Sequence, residues 1–261
     1  MCAWMVGVAF SQPAVAQTQT GWNDRMRIGV SAGVQAATNI VAQDGDLFAD
    51  QEDFPVTATA SGVAMFVSGD TVVRLNPNLG LSLGVSYAQG RADADVVAET
   101  PHPFYFDQPR FISGTVSDVH HAELAVHAGL LHVVRLSART DLAISGGVSY
   151  FHVTQDLVDR VFYSDAYPFD TATFEDASLA SVTGSALGFH VAADLAWKLG
   201  TRWGIGILAR YTRANVPFEL DGEDAGTATV GGVQVGAGIR WMLPVRPRRP
   251  AAPPKPPGPG L

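Results

Sequence analysis

Leu79-Gly80-Leu81-Ser82-Leu83-Gly84-Val85-Ser86-Tyr87 sets five large apolar side chains against four small ones in strict alternation. A two-residue repeat sends one kind of side chain to each face, which is the mark of a β-strand. The pattern returns at 27–35, where Ile28, Val30, Ala32 and Val34 oppose Gly29, Ser31 and Gly33. At 142–150, Leu142, Ile144, Val148 and Tyr150 oppose Ala143, Ser145, Gly147 and Ser149. Further on, Leu187, Phe189, Val191, Ala193, Leu195 and Trp197 face away from Gly188, His190, Ala192, Asp194 and Lys198. Trp203, Ile205, Ile207, Ala209 and Tyr211 oppose Gly204, Gly206 and Arg210, and Val233, Val235, Ala237, Ile239 and Trp241 oppose Gly232, Gln234, Gly236, Gly238 and Arg240. Two less regular segments, near 57–73 and 113–134, bring the total to eight. The expected class is all-β, an eight-stranded antiparallel up-and-down barrel.

Aromatic placement says what surrounds it. Trp197, Trp203 and Trp241 fall at one kind of strand end, while Tyr87, Tyr150 and Tyr211 each stand eight residues beyond the first apolar residue of an up-strand. At ~3.3 Å per residue and a tilt near 40°, eight residues climb ~20 Å, close to the ~25 Å apolar band of a membrane barrel. The two sets then form girdles at opposite edges of that band. The competing reading, a soluble ligand-binding barrel in the periplasm, needs the apolar stripe turned inward. Gly, Ser and the charges occupy the face opposite that stripe, where a transmembrane barrel has its lumen.

Connections sort by length. Those near 74–78, 135–141 and 200–202 are short and basic; those near 42–54, 98–112, 156–177 and 217–225 read as long loops. Asp44, Asp46, Asp50, Glu52 and Asp53 fill the first long segment and Glu219, Asp221, Glu223 and Asp224 the last, so carboxylates gather on one side. As hard oxygen ligands, they suit divalent cations bridging to lipopolysaccharide phosphates. Phe104, Tyr105, Phe106, Phe111, Phe162, Tyr163, Tyr167 and Phe169 lie among the long segments, as surface-contact residues or as strand extensions packed on each other.

The ends of the chain read as separate units. Residues 1–16 lack any acid or base, carry the apolar run 3–10 and end in Ala14-Val15-Ala16, an A-x-A cleavage pattern that predicts an export signal. The sole cysteine, Cys2, lies in it, so a disulfide or zinc-thiolate site is not expected in the exported protein. The barrel is assigned to 17–243. Residues 244–261 are about half proline and carry Arg246, Arg248, Arg249 and Lys255, which predicts an extended basic tail. The chain's net charge of −8 becomes −12 once those four bases are set aside, which argues against nucleic acid as a partner.

With these residues in place, the chain resembles the small outer-membrane barrels of the OmpA/OmpX type over about residues 25–243. Gln234-Val235-Gly236-Ala237-Gly238-Ile239-Arg240-Trp241 looks like their terminal β-signal, carried by Gln234, Gly236, Ile239 and Trp241. The resemblance implies reading by the barrel assembly machinery, contact with outer-membrane lipid and lipopolysaccharide, both termini in the periplasm, and peptidoglycan as a candidate partner of the tail. One departure is that the chain runs on past Trp241.

An eight-stranded barrel is wide enough only to be filled by side chains. The inward column is expected to hold His121, Glu123 and His127, then His190, Asp194 and Lys198, then Arg210, Gln234 and Arg240, forming an ionic and hydrogen-bonded plug. A structural or surface-contact role in the cell envelope follows, with a small porin-like channel as the alternative. No cofactor is expected. His121, Glu123 and His127 do not form a metal site, because four strand residues separate Glu123 from His127 by ~13 Å. Ser149 and His152 do not assemble into a catalytic triad on spacing alone, so the expectation is a non-enzymatic protein.

Overall fold

The computed structural model describes residues 24–49, 52–100, 102–105, 108–220 and 223–244, with the side chains of 37–49, 52–55, 60–61, 220, 223–225 and 244 excepted. The expected export signal, residues 245–261 of the tail, Phe106, and the acidic side chains named at 44–53, 221, 223 and 224 lie outside what is described. Eight strands follow one another: β1 (Asp24–Ala49), β2 (Glu52–Arg74), β3 (Leu79–Thr100), β4 (Arg110–Arg135), β5 (Thr140–Asp165), β6 (Ala172–Lys198), β7 (Trp203–Leu220) and β8 (Glu223–Pro244). Each pairs antiparallel with its sequence neighbour, and β8 pairs with β1, so the barrel closes. Closure removes the unpaired edge that an open sheet presents.

Stepping across the hydrogen bonds fixes the shape. From Met26 the pairs run to Val73, Leu81, Leu130, Gly146, Val191, Tyr211 and Val233, and return to β1 at Ala36. The circuit therefore climbs ten residues, which for eight strands at standard spacings tilts each strand by roughly 40°. Every residue then adds ~2.5 Å of height, so the 26 residues of β5 rise ~65 Å, more than twice an apolar membrane band.

This height corrects the sequence reading. The segments expected as long loops at 42–54 and 217–225 are strand at every described residue, 42–49, 52–54, 217–220 and 223–225. The links at 98–112 and 156–177 shrink to 101–109 and 166–171. The three short links share one geometry. In each, the first two backbone N–H groups of the turn donate to the carbonyl of the next strand's first residue: Leu75 and Asn76 to Leu79, Leu136 and Ser137 to Thr140, Leu199 and Gly200 to Trp203.

The upper strands were hidden because their polarity is reversed. On β7 the outward residues are Trp203, Ile205, Ile207, Ala209 and Tyr211, then Arg213, Asn215, Pro217 and Glu219. Inward along the same strand come Gly204, Gly206, Leu208, Arg210 and Thr212, then Ala214, Val216 and Phe218. β3 does the same: Leu81, Leu83, Val85 and Tyr87 give way outside to Gln89, Arg91, Asp93 and Asp95, while inside Ser86 gives way to Ala94, Val96 and Ala98. The barrel is thus two stacked chambers. The lower is apolar outside and holds buried charge inside, beside small apolar clusters at Phe66 with Leu208 and at Leu131 with Val133; the upper is filled by a core that includes Val96, Val119, Phe151, Val153, Leu157, Val216 and Phe218. On β4 the alternation also breaks at Asp118, which has φ +70° and stands where the register with β3 shifts. Inward positions change there from even numbers, such as Ile112 and Val116, to odd ones, such as Val119 and His121, which is why this strand read poorly.

Phe151 is 1% exposed in the upper core. We expect Phe151→Ala to cost ~3–5 kcal/mol in denaturant unfolding of the purified protein, because its removal leaves a cavity among strands that cannot close over it. A loss below 1 kcal/mol would mean that the upper chamber is not a packed core.

Candidate functional site in the barrel lumen

The lower lumen holds buried charge arranged in layers. Next to the short turns, Arg27 Nη2 donates to Asp141 Oδ2 at 3.1 Å and lies 3.6 Å from Asp24, while Lys198 Nζ is 2.9 Å from Asp141. Arg135 stands 3.6 Å from the same carboxylate. Above them, Arg240 grips Asp194 with Nε at 3.1 and 3.0 Å and Nη2 at 2.7 Å, and its Nη1 donates to Ser31 Oγ at 2.9 Å. Arg210 Nη2 donates to Asp70 at 2.6 Å, and Ser68 Oγ donates to the other oxygen of Asp70 at 3.2 Å. Such forked, charge-assisted contacts are what offset removing both ions from water. Glycine supplies the room: a Cβ on Gly29 or Gly206 would stand 3.0 Å from Arg240.

The third layer is held by amides, imidazoles and one carboxylate. Gln234 Nε2 donates to Gln35 Oε1 at 2.8 Å, and Gln35 Nε2 donates to Glu123 Oε2 at 3.0 Å. The other oxygen of Glu123 accepts from the backbone N–H of Gly231 at 3.0 Å and meets His121 Nε2 at 2.8 Å. Gly231 has φ +100°, a conformation open to glycine, and its N–H meets that carboxylate inside the barrel. Beside this group, His127 spans Ser86 Oγ (2.9 Å) and Ser149 Oγ (2.8 Å), and Ser149 Oγ lies 2.9 Å from His190 Nδ1.

All nine residues expected in the lumen column therefore point inward, in separate clusters. His121 and Glu123 are together; His190 and His127 share Ser149; Asp194 holds Arg240; Arg210 and Gln234 touch at 3.4 Å; Lys198 belongs with Asp141 near the turns. Sequence reasoning missed Asp24, Arg27, Gln35, Asp70 and Asp141. The signal for Gln35 was present, since it continues the column of Gly29, Ser31 and Gly33. Asp141 was counted as a turn residue, and Asp70 lay on an irregular strand.

Glu123 and His127 sit in different hydrogen-bond groups, and among the described residues no cluster of three or more His, Cys, Asp or Glu is placed to hold a metal ion. Ser149 is buried inside, whereas His152 points outward to Ser185 Oγ at 3.0 Å, so the two are on opposite faces of the wall. A cavity of about 50 Å³ lies between the Asp70–Arg210 and Asp194–Arg240 pairs. It has room for one or two waters.

Tyr87, Tyr150 and Tyr211 are exposed on the outer wall, Tyr211 against the Phe189 ring at 6.1 Å. At the opposite edge Trp203 and Trp241 stack at 5.9 Å and 15°, and Trp197 pairs in register with Ile205. Of the candidate assembly signal on β8, Gln234 and Gly236 face the lumen while Ile239 and Trp241 face out.

No family model and no curated protein sequence matches the chain. Among solved structures it is similar to Neisserial surface protein A (9% identity, TM-score 0.46, covering 84% of this chain and 96% of that one). It is also similar to the attachment invasion locus protein Ail of Yersinia pestis, solved in complex with the heparin analogue sucrose octasulfate (12%, 0.37, 83% and 99%). A third is the outer membrane protein AlkL, solved in lipid bilayers (14%, 0.35, 88% and 93%).

Replacing Arg240 by Met strands the Asp194 carboxylate, and we expect ~3–5 kcal/mol of destabilisation in denaturant unfolding. Adding Asp194→Leu is expected to recover most of it, since removing both charges removes the desolvation cost as well. A double variant as weak as the single one would contradict the pairing.

Proposed function

We propose that this chain is an integral outer-membrane barrel that serves the cell envelope structurally or through surface contact, with a sealed lumen and no catalytic chemistry. The observation that carries the reading is the reversal of polarity along the wall. Below the tyrosines, Val30, Val67, Leu83, Val85, Val126, Leu130, Val148, Phe189, Val191, Ile205, Ile207, Val235 and Ile239 all stand at least 45% exposed around the circumference. A soluble monomer rarely exposes more than a few hundred Å² of contiguous apolar surface, and hydrocarbon is the solvent that such a continuous belt suits. Above the tyrosines the outer wall turns polar and the core turns apolar, as a β-barrel in water requires.

Direction follows from the same asymmetry. Asp24 pairs with Pro244 at the short-turn end, so the described ends of the chain lie together there. Short turns toward the periplasm and tall strands outward is the arrangement of bacterial outer-membrane barrels. The function of the upper chamber is then to carry a rigid, water-facing rim above the lipid headgroups. The strands that build it, β5 above all, continue well past the tyrosine level. Entry into the membrane is assigned to the assembly machinery acting on β8. The lumen is sealed twice, by the ionic layers below and by the apolar core above, which supports a barrel that does not conduct.

Nitroxide labels test the arrangement. Labels at Val85 and Ile207 are expected to show oxygen-rich, hydrocarbon-like accessibility in lipid vesicles, and labels at Asp95 and Asn215 aqueous accessibility. Water at the first pair would remove the membrane reading. Conductance of planar bilayers containing the purified protein is expected to match protein-free bilayers; stepwise openings would transfer the role to a small channel.

A further inference from the structure

The three short links repeat more than a backbone shape. Each opens on a base followed by a leucine: Arg74-Leu75, Arg135-Leu136 and Lys198-Leu199. The leucines come two residues after Val73, Val134 and Trp197, so they extend the outward apolar columns by one step, and each is more than half exposed. Two of the links then close on a second base, Arg139 and Arg202, both exposed. The backbone pins those positions: the carbonyl of Arg139 accepts from the Lys198 N–H at 2.7 Å, and that of Arg202 from the Met242 N–H at 2.8 Å. Arg139 therefore stands beside the Lys198-Leu199 step of the next link, and Arg202 beside the stacked Trp203 and Trp241.

Charge at this end is one-sided. Residues 24–27, 72–80, 132–142, 196–204 and 241–244 hold seven Lys and Arg but two acids, Asp24 and Asp141. Both acids are buried and held by Arg27, Arg135 and Lys198, so neither offsets the exposed Arg25, Arg139 and Arg202. The flanking sequence does not reverse the balance: 1–23 and 245–261 contain no acid, and the second stretch carries four bases. Above the tyrosines the outer wall is the opposite, with Asp93, Asp95, Asp118, Glu175 and Asp176 exposed.

A base at the foot of an apolar column, flanked by leucine and indole, suits a phosphate that carries acyl chains. Its guanidinium meets the headgroup while its neighbours stay at the hydrocarbon boundary. A soluble anion would have no use for the leucines, and an anionic lipid of the opposite leaflet would meet the acidic wall above the tyrosines. We propose that the short-turn end binds anionic glycerophospholipid of the periplasmic leaflet, with Arg139 and Arg202 on headgroup phosphate and Leu136, Leu199, Trp203 and Trp241 against the acyl chains. This rests on the membrane arrangement proposed above and adds to it a preference of one end for one class of lipid.

The test uses the full chain in vesicles of phosphatidylcholine with a varied share of phosphatidylglycerol, one of the two carrying brominated acyl chains that quench tryptophan on contact. Trp197, Trp203 and Trp241 all stand at the short-turn end, so quenching reports the lipid beside it. Phosphatidylglycerol is expected to associate about fivefold more strongly than phosphatidylcholine. The preference is expected to fade in high salt. Arg139→Gln with Arg202→Gln is expected to remove it, and Arg139→Lys with Arg202→Lys to keep it. Arg213→Gln on the upper wall is expected to leave it unchanged, and all three proteins to keep wild-type heat-modifiable gel migration. Equal association of the two lipids, a preference that survives in the glutamine pair, or tighter binding of lipopolysaccharide or a soluble muropeptide at the same two arginines overturns the proposal. A nitroxide at Val85 in the same vesicles separates the failures. Hydrocarbon at Val85 with no lipid preference removes this proposal alone, whereas water there removes the membrane arrangement and this proposal with it.

Discussion

A β-strand cannot choose its faces: neighbouring side chains point to opposite sides except where an irregularity resets the count, as at Asp118 on β4. In a closed barrel that rule binds all eight strands at once, because the wall has only an inside and an outside. When strands of 18 to 27 residues pass from one surrounding medium to another, the chemistry of both faces has to change at the same height. On β7 the change falls between Tyr211 and Arg213 outside and between Thr212 and Ala214 inside. Lipid compatibility, a polar lower lumen and an apolar upper core are three expressions of that one geometric constraint.

The lower lumen follows from the upper one. An apolar core needs no partners beyond contact, and residues such as Val153, Leu157 and Phe218 pack there without polar help. Below it, small apolar clusters around Phe66 with Leu208 and Leu131 with Val133 share the lumen with the buried charges. Charged pairs have only one place to go. Arg240 on β8 reaches over β7 to Asp194 on β6, and Arg27 on β1 reaches Asp141 on β5, which stands opposite it in the eight-stranded ring, so the charges link strands that are not neighbours in the wall. The cost of burying these ions is high, so their contribution lies more in fixing which face is inner than in net stability.

The rim is different in kind. There Arg110, at the start of β4, reaches Asp165 and the Phe169 carbonyl, so two stretches of chain about 55 to 59 residues apart are joined across the upper wall.

Alternation in 79–87, 187–198 and 203–211 was enough to mark strands and to place His190, Asp194, Lys198 and Arg210 on the face opposite the apolar stripe, because period two depends only on backbone geometry; the closed barrel rested on the aromatic placement and on the resemblance as well. Turn positions were legible for the same reason, through short basic breaks between apolar stripes. The height of the barrel was not, since an apolar residue facing a core and one facing lipid have the same composition, and only pairing reveals which side each occupies. The partners of each lumenal charge were equally out of reach: Lys198 meets Asp141 rather than Asp194 because Asp141 stands on the neighbouring strand β5 opposite Ala196, whereas Asp194 lies four residues away along β6 itself, and only strand pairing reveals that neighbour.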